Sequence, residues 1–363
     1  MIRNSTFFAS FIFLLVAKGF AQPNDSTSKF KISGYVDAYY AYYTDSVGTG
    51  NYQKFPSISS RSNQFGLNTA QVSFQYDGEK VRGIITLHVG DIARSAWSST
   101  FNNIMEAHAG IRLCKKLWFD AGFFRTHFGT EGLLPKEIFV SAVSVNTFFE
   151  PYFEAGVRLN YIPGDKWSIN MYALNGYNMY EDNNKKKSLG TLITYALGDK
   201  GNVGYSNYIG DDSPQGDPTS HLRIHQNLFF NYQVKKLKIQ IGGDYCMQHH
   251  SKIVDQNKTA TMFSGVIGLR YQANEKFAIS GRGELFKDPQ GFMSGIFIDN
   301  ANKFTGSKLW GVTLGAEYKP TESTYIRIEG RKLQMDKNQE IFYWNGKNRS
   351  NRIEILFNMG ISF

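Results

Sequence analysis

RIEILFNMGISF, residues 352–363, alternates with a period of two along its whole length. Ile353, Ile355, Phe357, Met359, Ile361 and Phe363 fall on one face. Arg352, Glu354, Leu356, Asn358, Gly360 and Ser362 fall on the other, which apart from Leu356 is charged, polar or small. Successive side chains of a β-strand point to opposite sides, so this stretch separates an apolar environment from a wet one. It is long enough for a tilted strand to cross a hydrocarbon layer, and it closes on an aromatic residue. A soluble edge strand can read this way once, so the decision rests on whether the chain repeats the pattern.

It does. Strand-like segments occupy roughly 30–43, 66–77, 80–90, 105–114, 117–125, 154–162, 166–175, 188–197, 202–210, 222–234, 237–247, 261–273, 276–286, 308–319, 323–333 and 352–363, sixteen in all. Ala155, Val157, Leu159 and Tyr161 oppose Glu154, Gly156, Arg158 and Asn160; Trp310, Val312, Leu314, Ala316 and Tyr318 oppose Gly311, Thr313, Gly315 and Glu317. The connections alternate too. Tight turns such as Asp77-Gly78-Glu79, Pro163-Gly164-Asp165 and Lys235-Lys236 follow every second strand, and longer polar loops follow the others. Tyr76, Tyr161, Tyr195, Tyr232, Tyr271 and Tyr318 precede the short turns on the apolar face, and Trp167, Phe277 and Tyr325 follow them, read here as the same face. Aromatic rings held at one level form the girdle of a membrane barrel. The expected fold is all-β: a single transmembrane antiparallel barrel of about sixteen strands, with short periplasmic turns, long extracellular loops and both termini in the periplasm.

Composition agrees. The chain has 363 residues with 35 Gly, 21 Tyr, 29 Phe and only 9 Pro, which suits alternating faces better than one buried core. Lys plus Arg number 40 against 31 Asp plus Glu, but the cations are scattered, so nucleic acid is not expected as a partner. Arg3, the apolar run Phe7 to Ala17 and the small residues Gly19-Phe20-Ala21 read as a secretory signal over 1–21. A short leader, 22–29, precedes the barrel, 30–363; strand 1 begins within about ten residues of the cut, leaving no room for a plug domain. Cys114 and Cys246 fall in different hairpins and read as incidental thiols.

By parity the inner face carries Lys31, Arg82, Arg112, Arg158, Arg223, Lys238, Arg270, Arg282, Arg327, Arg331 and Arg352. Its acids are Asp37, Glu106, Glu154, Asp244, Glu284, Glu317, Glu329 and Glu354. Sixteen strands enclose an aqueous channel. Such charges either pair across strands and keep the wall wet, or form a lightly basic pore favouring anions. Residues 126–153, THFGTEGLLPKEIFVSAVSVNTFFEPYF, are too apolar for a loop in solvent. Folding inward would bury Leu133, Leu134, Ile138, Phe139, Val140, Val143 and Val145 and narrow the pore. The expected constriction residues are Arg125, Thr126, Gly129, Glu131, Glu137, Glu150 and Glu154; a site for an extracellular partner is the alternative.

Three stretches resemble a known family: Gly122 to Glu131 (GFFRTHFGTE), Glu150 to Arg158 (EPYFEAGVR) and the opening Gly34 to Tyr40 (GYVDAYY). They are similar to the OmpL-like β-barrel porins of the Bacteroidetes type. The resemblance implies an outer-membrane porin and no defined solute. Where that family tends to carry Ser-Arg within the loop, this chain has Ser141-Ala142 and Ser144-Val145.

No catalytic or cofactor chemistry stands out. His221 and His225 lie on a strand, where a four-residue spacing does not bring them together, and His249-His250 has no carboxylate cluster beside it, so no metal site is expected. Asp211 to Asp217 lacks the spaced ligands of a calcium loop. His88 and His108 face inward, but no nucleophile is marked, so no enzyme is expected. The readings are therefore a passive porin for small polar solutes, a structural or adhesion barrel with a blocked lumen, and last a barrel enzyme. Expected partners are outer-membrane lipids and lipopolysaccharide (for Lys185-Lys186-Lys187), the barrel-assembly machinery at Phe363, and a second and third copy in a homotrimer.

Overall fold

The computed structural model describes residues 29–45, 48, 50–53, 55 and 57–363. The expected signal segment, 1–21, and residues 22–28 of the leader lie outside the described residues. Sixteen strands form one closed antiparallel barrel in which each strand pairs with its neighbours in sequence. They are β1 (Phe30–Tyr43), β2 (Gln64–Asp77), β3 (Val81–Val89), β4 (Ile104–Cys114), β5 (Leu117–Arg125), β6 (Phe153–Tyr161), β7 (Trp167–Leu174) and β8 (Ser188–Ala196). Then follow β9 (Gly201–Gly210), β10 (Arg223–Val234), β11 (Leu237–Gln248), β12 (Ala260–Gln272), β13 (Phe277–Lys287), β14 (Lys308–Thr321), β15 (Thr324–Met335) and β16 (Asn351–Ser362). The stretch that opened the sequence reading closes the barrel: Tyr35 pairs with Ser362, and the register runs to Tyr43 against Glu354. Two-residue and three-residue ribbons, Phe297–Ile298 with Phe304–Thr305 and Phe342–Trp344 with Lys347–Arg349, sit in the last two long loops.

Burial alternates as the sequence does, but inside out. On β16, Ile353, Ile355, Phe357, Met359 and Ile361 are exposed on the outer surface, whereas Arg352, Glu354, Leu356 and Asn358 are buried. The exposed apolar face is the lipid-contacting wall; the buried polar face looks into the barrel. A globular protein would reverse the two.

The girdle is real with one exception. Trp167 packs on Tyr195 and Phe277 on Tyr318, with ring centroids 4.8 and 4.9 Å apart. Tyr325, expected on the outer face, points inward instead: its hydroxyl donates to Asp37 at 2.5 Å and meets the Tyr35 hydroxyl. Within its own strand Tyr325 lies two residues before Arg327 and four before Glu329, so it shares their inward face, and Ile326, opposite Tyr318, takes the outer one.

Candidate functional site: the lumen and the loop inside it

β5 ends at Arg125 and β6 begins at Phe153, so the apolar loop occupies 126–152, and Phe153 and Glu154 belong to the wall. Its base is tied by Thr126 N–H donating to Tyr152 O at 3.1 Å. Leu133, Leu134, Ile138, Val140, Val143 and Val145 are buried. Their burial is inside the barrel: Leu134 and Val143 share a cluster with Tyr35 of β1, Met105 of β4 and Tyr325 of β15, and Val145 joins Met262 of β12, Phe286 of β13 and Leu333 of β15.

A chain segment lodged there must satisfy its own peptide groups away from water. The wall supplies the partners. Ser141 N–H and Ala142 N–H donate to Glu329 at 2.5 and 2.8 Å, and Val145 N–H donates to Glu284 at 2.7 Å. In the other direction Arg327 donates to Pro135 O at 2.6 Å and Val140 O at 3.2 Å, and Arg282 donates to Ala142 O. A guanidinium meets Ala142 after all, but it comes from the wall. Glycines on the inner face make room: a β-carbon at Gly242 would collide with the Thr130 side chain, and one at Gly190 with the His127 ring.

Beneath the loop the wall charges cancel pairwise. Arg331 contacts Glu284 at 2.9 Å and Glu354 at 3.4 Å. Arg282 contacts Glu131 at 3.3 Å and Glu284 at 3.4 Å, and Arg270 and Arg327 both contact Glu317 at 2.5 Å. Arg352 contacts Glu354 at 2.5 Å and Asp45 at 3.5 Å. All of these side chains except Asp45 are less than a tenth exposed. Arg223 lies higher, donating to Gln248 at 2.8 Å and facing Asp212 at 3.6 Å.

The loop's own acids divide. Glu131 receives Ser144 N–H at 3.0 Å. Glu137 is held bidentately by Arg125 at 2.7 and 2.6 Å, and this pair is partly exposed. Glu150 is buried against Asp244 of β11 and accepts from Asn146 at 2.8 Å; its carboxylate packs on Gly129, whose φ of 106° lies in the left-handed region. Burial, then the neighbouring Asp244 and Glu131, raise the Glu150 pKa well above the ordinary carboxylate range. Asp244 in turn contacts His225 at 2.9 Å. Glu154 pairs with His127 at 2.8 Å, and the other ring nitrogen of His127 lies 2.8 Å from Asn207 O.

The wall from β3 to β6 is different. Arg82 of β3 lies opposite Gly110 of β4, Gly110 opposite Asp120 of β5, and Asp120 opposite Arg158 of β6. Gly110 carries no side chain, so Arg82 reaches across β4 to Asp120, with Nε and Nη2 at 2.7 and 2.6 Å from its two oxygens. A β-carbon at Gly110 would collide with that carboxylate. Arg158 Nε donates to the same Asp120 at 3.0 Å. Two residues nearer the turn, Arg112 pairs across the strands with Trp118, and Arg82 and Arg112 lie over the Trp118 ring at 4.4 and 4.7 Å. Arg112 is exposed and has no ion pair among the described residues. Two guanidiniums thus share one carboxylate, and a third stands beside them over the same ring.

Residues 29–363 match the family described as "Putative beta-barrel porin-2, OmpL-like". The chain belongs to that family. It is an outer-membrane porin, a channel for passive diffusion, as the Gly122–Glu131 and Glu150–Arg158 stretches imply. No curated protein matches it. Among solved structures it is similar to an anion-selective porin from Comamonas acidovorans, with a TM-score of 0.64, 9% identity, and 92% of this chain and 99% of that chain covered. It is similar to the outer membrane channel DcaP of Acinetobacter baumannii, with a TM-score of 0.60, 13% identity, and 92% and 97% covered. OmpF of Salmonella typhi gives a TM-score of 0.57 at 11% identity, with 92% and 97% covered. At these identities the likeness is one of fold.

Several residues that organise this porin's lumen had no mark in the sequence. Asp120 and Trp118 read in the sequence only as members of a strand. Their pattern was available: Arg82, Gly110, Asp120 and Arg158 form one row once the register is known. His127 and His225 give no usable signal in the sequence, because Glu154 meets His127 through the inserted loop, and Asp244 meets His225 diagonally across β10 and β11, a contact that only the register shows. Lys186 and Lys187 of the outer run contact Asp211 and Asp182. Cys114 and Cys246 are both free thiols.

Proposed function

We propose that solutes cross this porin along the β3–β6 wall, past the inward loop, with anions favoured over cations. The observation that carries this reading is the grouping of Arg82, Arg112 and Arg158, for which Asp120 is the one carboxylate in contact. The other acids of that side lie against other partners: Glu137 against Arg125, Asp77 (opposite Arg82 in register) against Lys31 at 3.9 Å, and Glu106 beside His108 at 3.8 Å, although Glu106 also feels the charge of Arg158. Lys235, Lys236 and Lys238 near the short turns around a cleft of about 290 Å³ add to the positive potential at the same end. The loop 126–152 is the constriction in this reading, with Arg125 and Glu137 on its wet edge, and no reaction is catalysed. Contacts with lipopolysaccharide, the assembly machinery at Phe363 and a homotrimer are the partners that go with it.

Single-channel conductance of the refolded mature chain in a planar bilayer tests this. Steady current with a reversal potential displaced toward the anion under a potassium chloride gradient is expected. A folded, heat-modifiable barrel that carries no current would leave a structural barrel with a closed lumen. Current favouring cations would reverse the assigned selectivity.

A further inference from the structure

We infer that Arg82, Arg112 and Arg158 form a station for a doubly charged oxyanion on the way through the lumen. This deepens the anion-favouring reading and rests on it. The geometry is more specific than a general positive field. Asp120 engages the Nε edge of both Arg82 and Arg158, which fixes the two guanidiniums and leaves Nη1 of Arg82 without an acidic partner. Arg158 also lies over the Phe124 ring at 5.0 Å and reaches the Tyr172 hydroxyl. Arg82 and Arg112 both lie over the Trp118 ring, at 4.4 and 4.7 Å from its centre, which brings the two guanidiniums to one place on the wall. Arg112 keeps its donors clear of any acid.

Three guanidiniums, two of them fixed on the one carboxylate they contact, match an anion that carries two charges and several acceptor oxygens. Guanidiniums bind such groups through paired, charge-assisted hydrogen bonds, and the Coulomb attraction grows with the anion's charge. A monovalent ion such as chloride or nitrate would satisfy only part of the site. Arg82 and Arg158 are each about one-fifth exposed, so binding occurs in water and stays weak enough for release, as conduction requires. The buried arginines under the loop are unsuited to this role, because every one of them already faces a carboxylate.

The test is bilayer recording in chloride with inorganic phosphate added at a pH where it is mainly the dianion, and then with sulfate, nitrate and acetate. Phosphate and sulfate should reduce the chloride current at concentrations where nitrate and acetate do not. In Arg112→Gln, a variant that removes no ion pair, the concentration needed should rise roughly tenfold. Calorimetric titration of the refolded protein with phosphate gives the same comparison without relying on current. An anion-favouring pore that treats all four anions alike, with no phosphate heat, would overturn the station and leave the anion-favouring reading standing. A cation-favouring or silent pore would overturn that reading; phosphate heat lost in Arg112→Gln would then still support the site itself. An unchanged response in Arg112→Gln would remove Arg112 from it and overturn the proposal as stated.

Discussion

The two sides of the lumen use the same residue types to opposite ends. On the β12–β16 side, Arg270, Arg282, Arg327, Arg331 and Arg352 are buried, and each faces at least one carboxylate. There the charges hold a loop: Glu284 and Glu329 take its amides, and Arg282 and Arg327 take its carbonyls. On the β3–β6 side the shared Asp120 is buried, while the arginines around it, Arg82, Arg112 and Arg158, remain in contact with water. An arginine in a barrel wall is therefore not a pore residue by virtue of its type or parity. What covers it, and how many carboxylates it meets, decide whether it holds structure or faces solute.

The largest separation between the two sides is expected in stability. Glu284→Ala leaves Arg331 and Arg282 short of a buried partner and Val145 N–H without its acceptor. It should cost about 3–5 kcal/mol in denaturant unfolding from vesicles. The comparison would break if the cost were no larger than that of a surface pair. Leu134→Ala, which removes loop packing without touching a charge, should cost about 2–5 kcal/mol and make the open current noisier.

The Glu150 carboxyl gives a pH-dependent form of the same test. Its pKa is raised in the folded loop, by burial first and then by Asp244 and Glu131. Its contribution to loop stability is therefore present at low pH and lost as pH rises through that raised value. Raising the pH from the ordinary carboxylate range through that raised value should loosen the loop and increase current fluctuations, and Glu150→Gln should flatten the dependence. A Glu150→Gln channel with the wild-type pH profile would show that another group sets it. The smallest stability effect should come from Arg82→Gln on the wet side, about 1 kcal/mol or less because Asp120 keeps Arg158. That variant should nevertheless move the reversal potential toward cations.

Much of this was written in the chain in readable form. Period-two alternation from Phe30 to Phe363 locates all sixteen strands, and the apolar run from Leu133 to Val145 announces a loop that cannot stay in solvent. Tyr325 looks like a girdle residue by its type and its place beside a turn, but alternation with Arg327 and Glu329 on its own strand puts it inside. The partners of the loop were illegible for a different reason. Glu329 and Ser141 are brought together by the barrel's curvature and the loop's path, neither of which has a sequence period. The Arg82–Asp120 contact lies between these cases: alternation places both residues inside, but only register shows that the bare Gly110 stands between them.

The measurement closest to the central claim is thiol accessibility in the refolded channel, with Cys114→Ser as background. Arg112→Cys and Ser141→Cys would each be exposed to a charged, membrane-impermeant thiol reagent while current is recorded. The account predicts rapid reaction at Arg112→Cys with a change in current, and no reaction at Ser141→Cys, a loop position buried against Glu329 and Asn358 of the wall. Equal reaction at both positions, or modification of Arg112→Cys that leaves the current untouched, would contradict it.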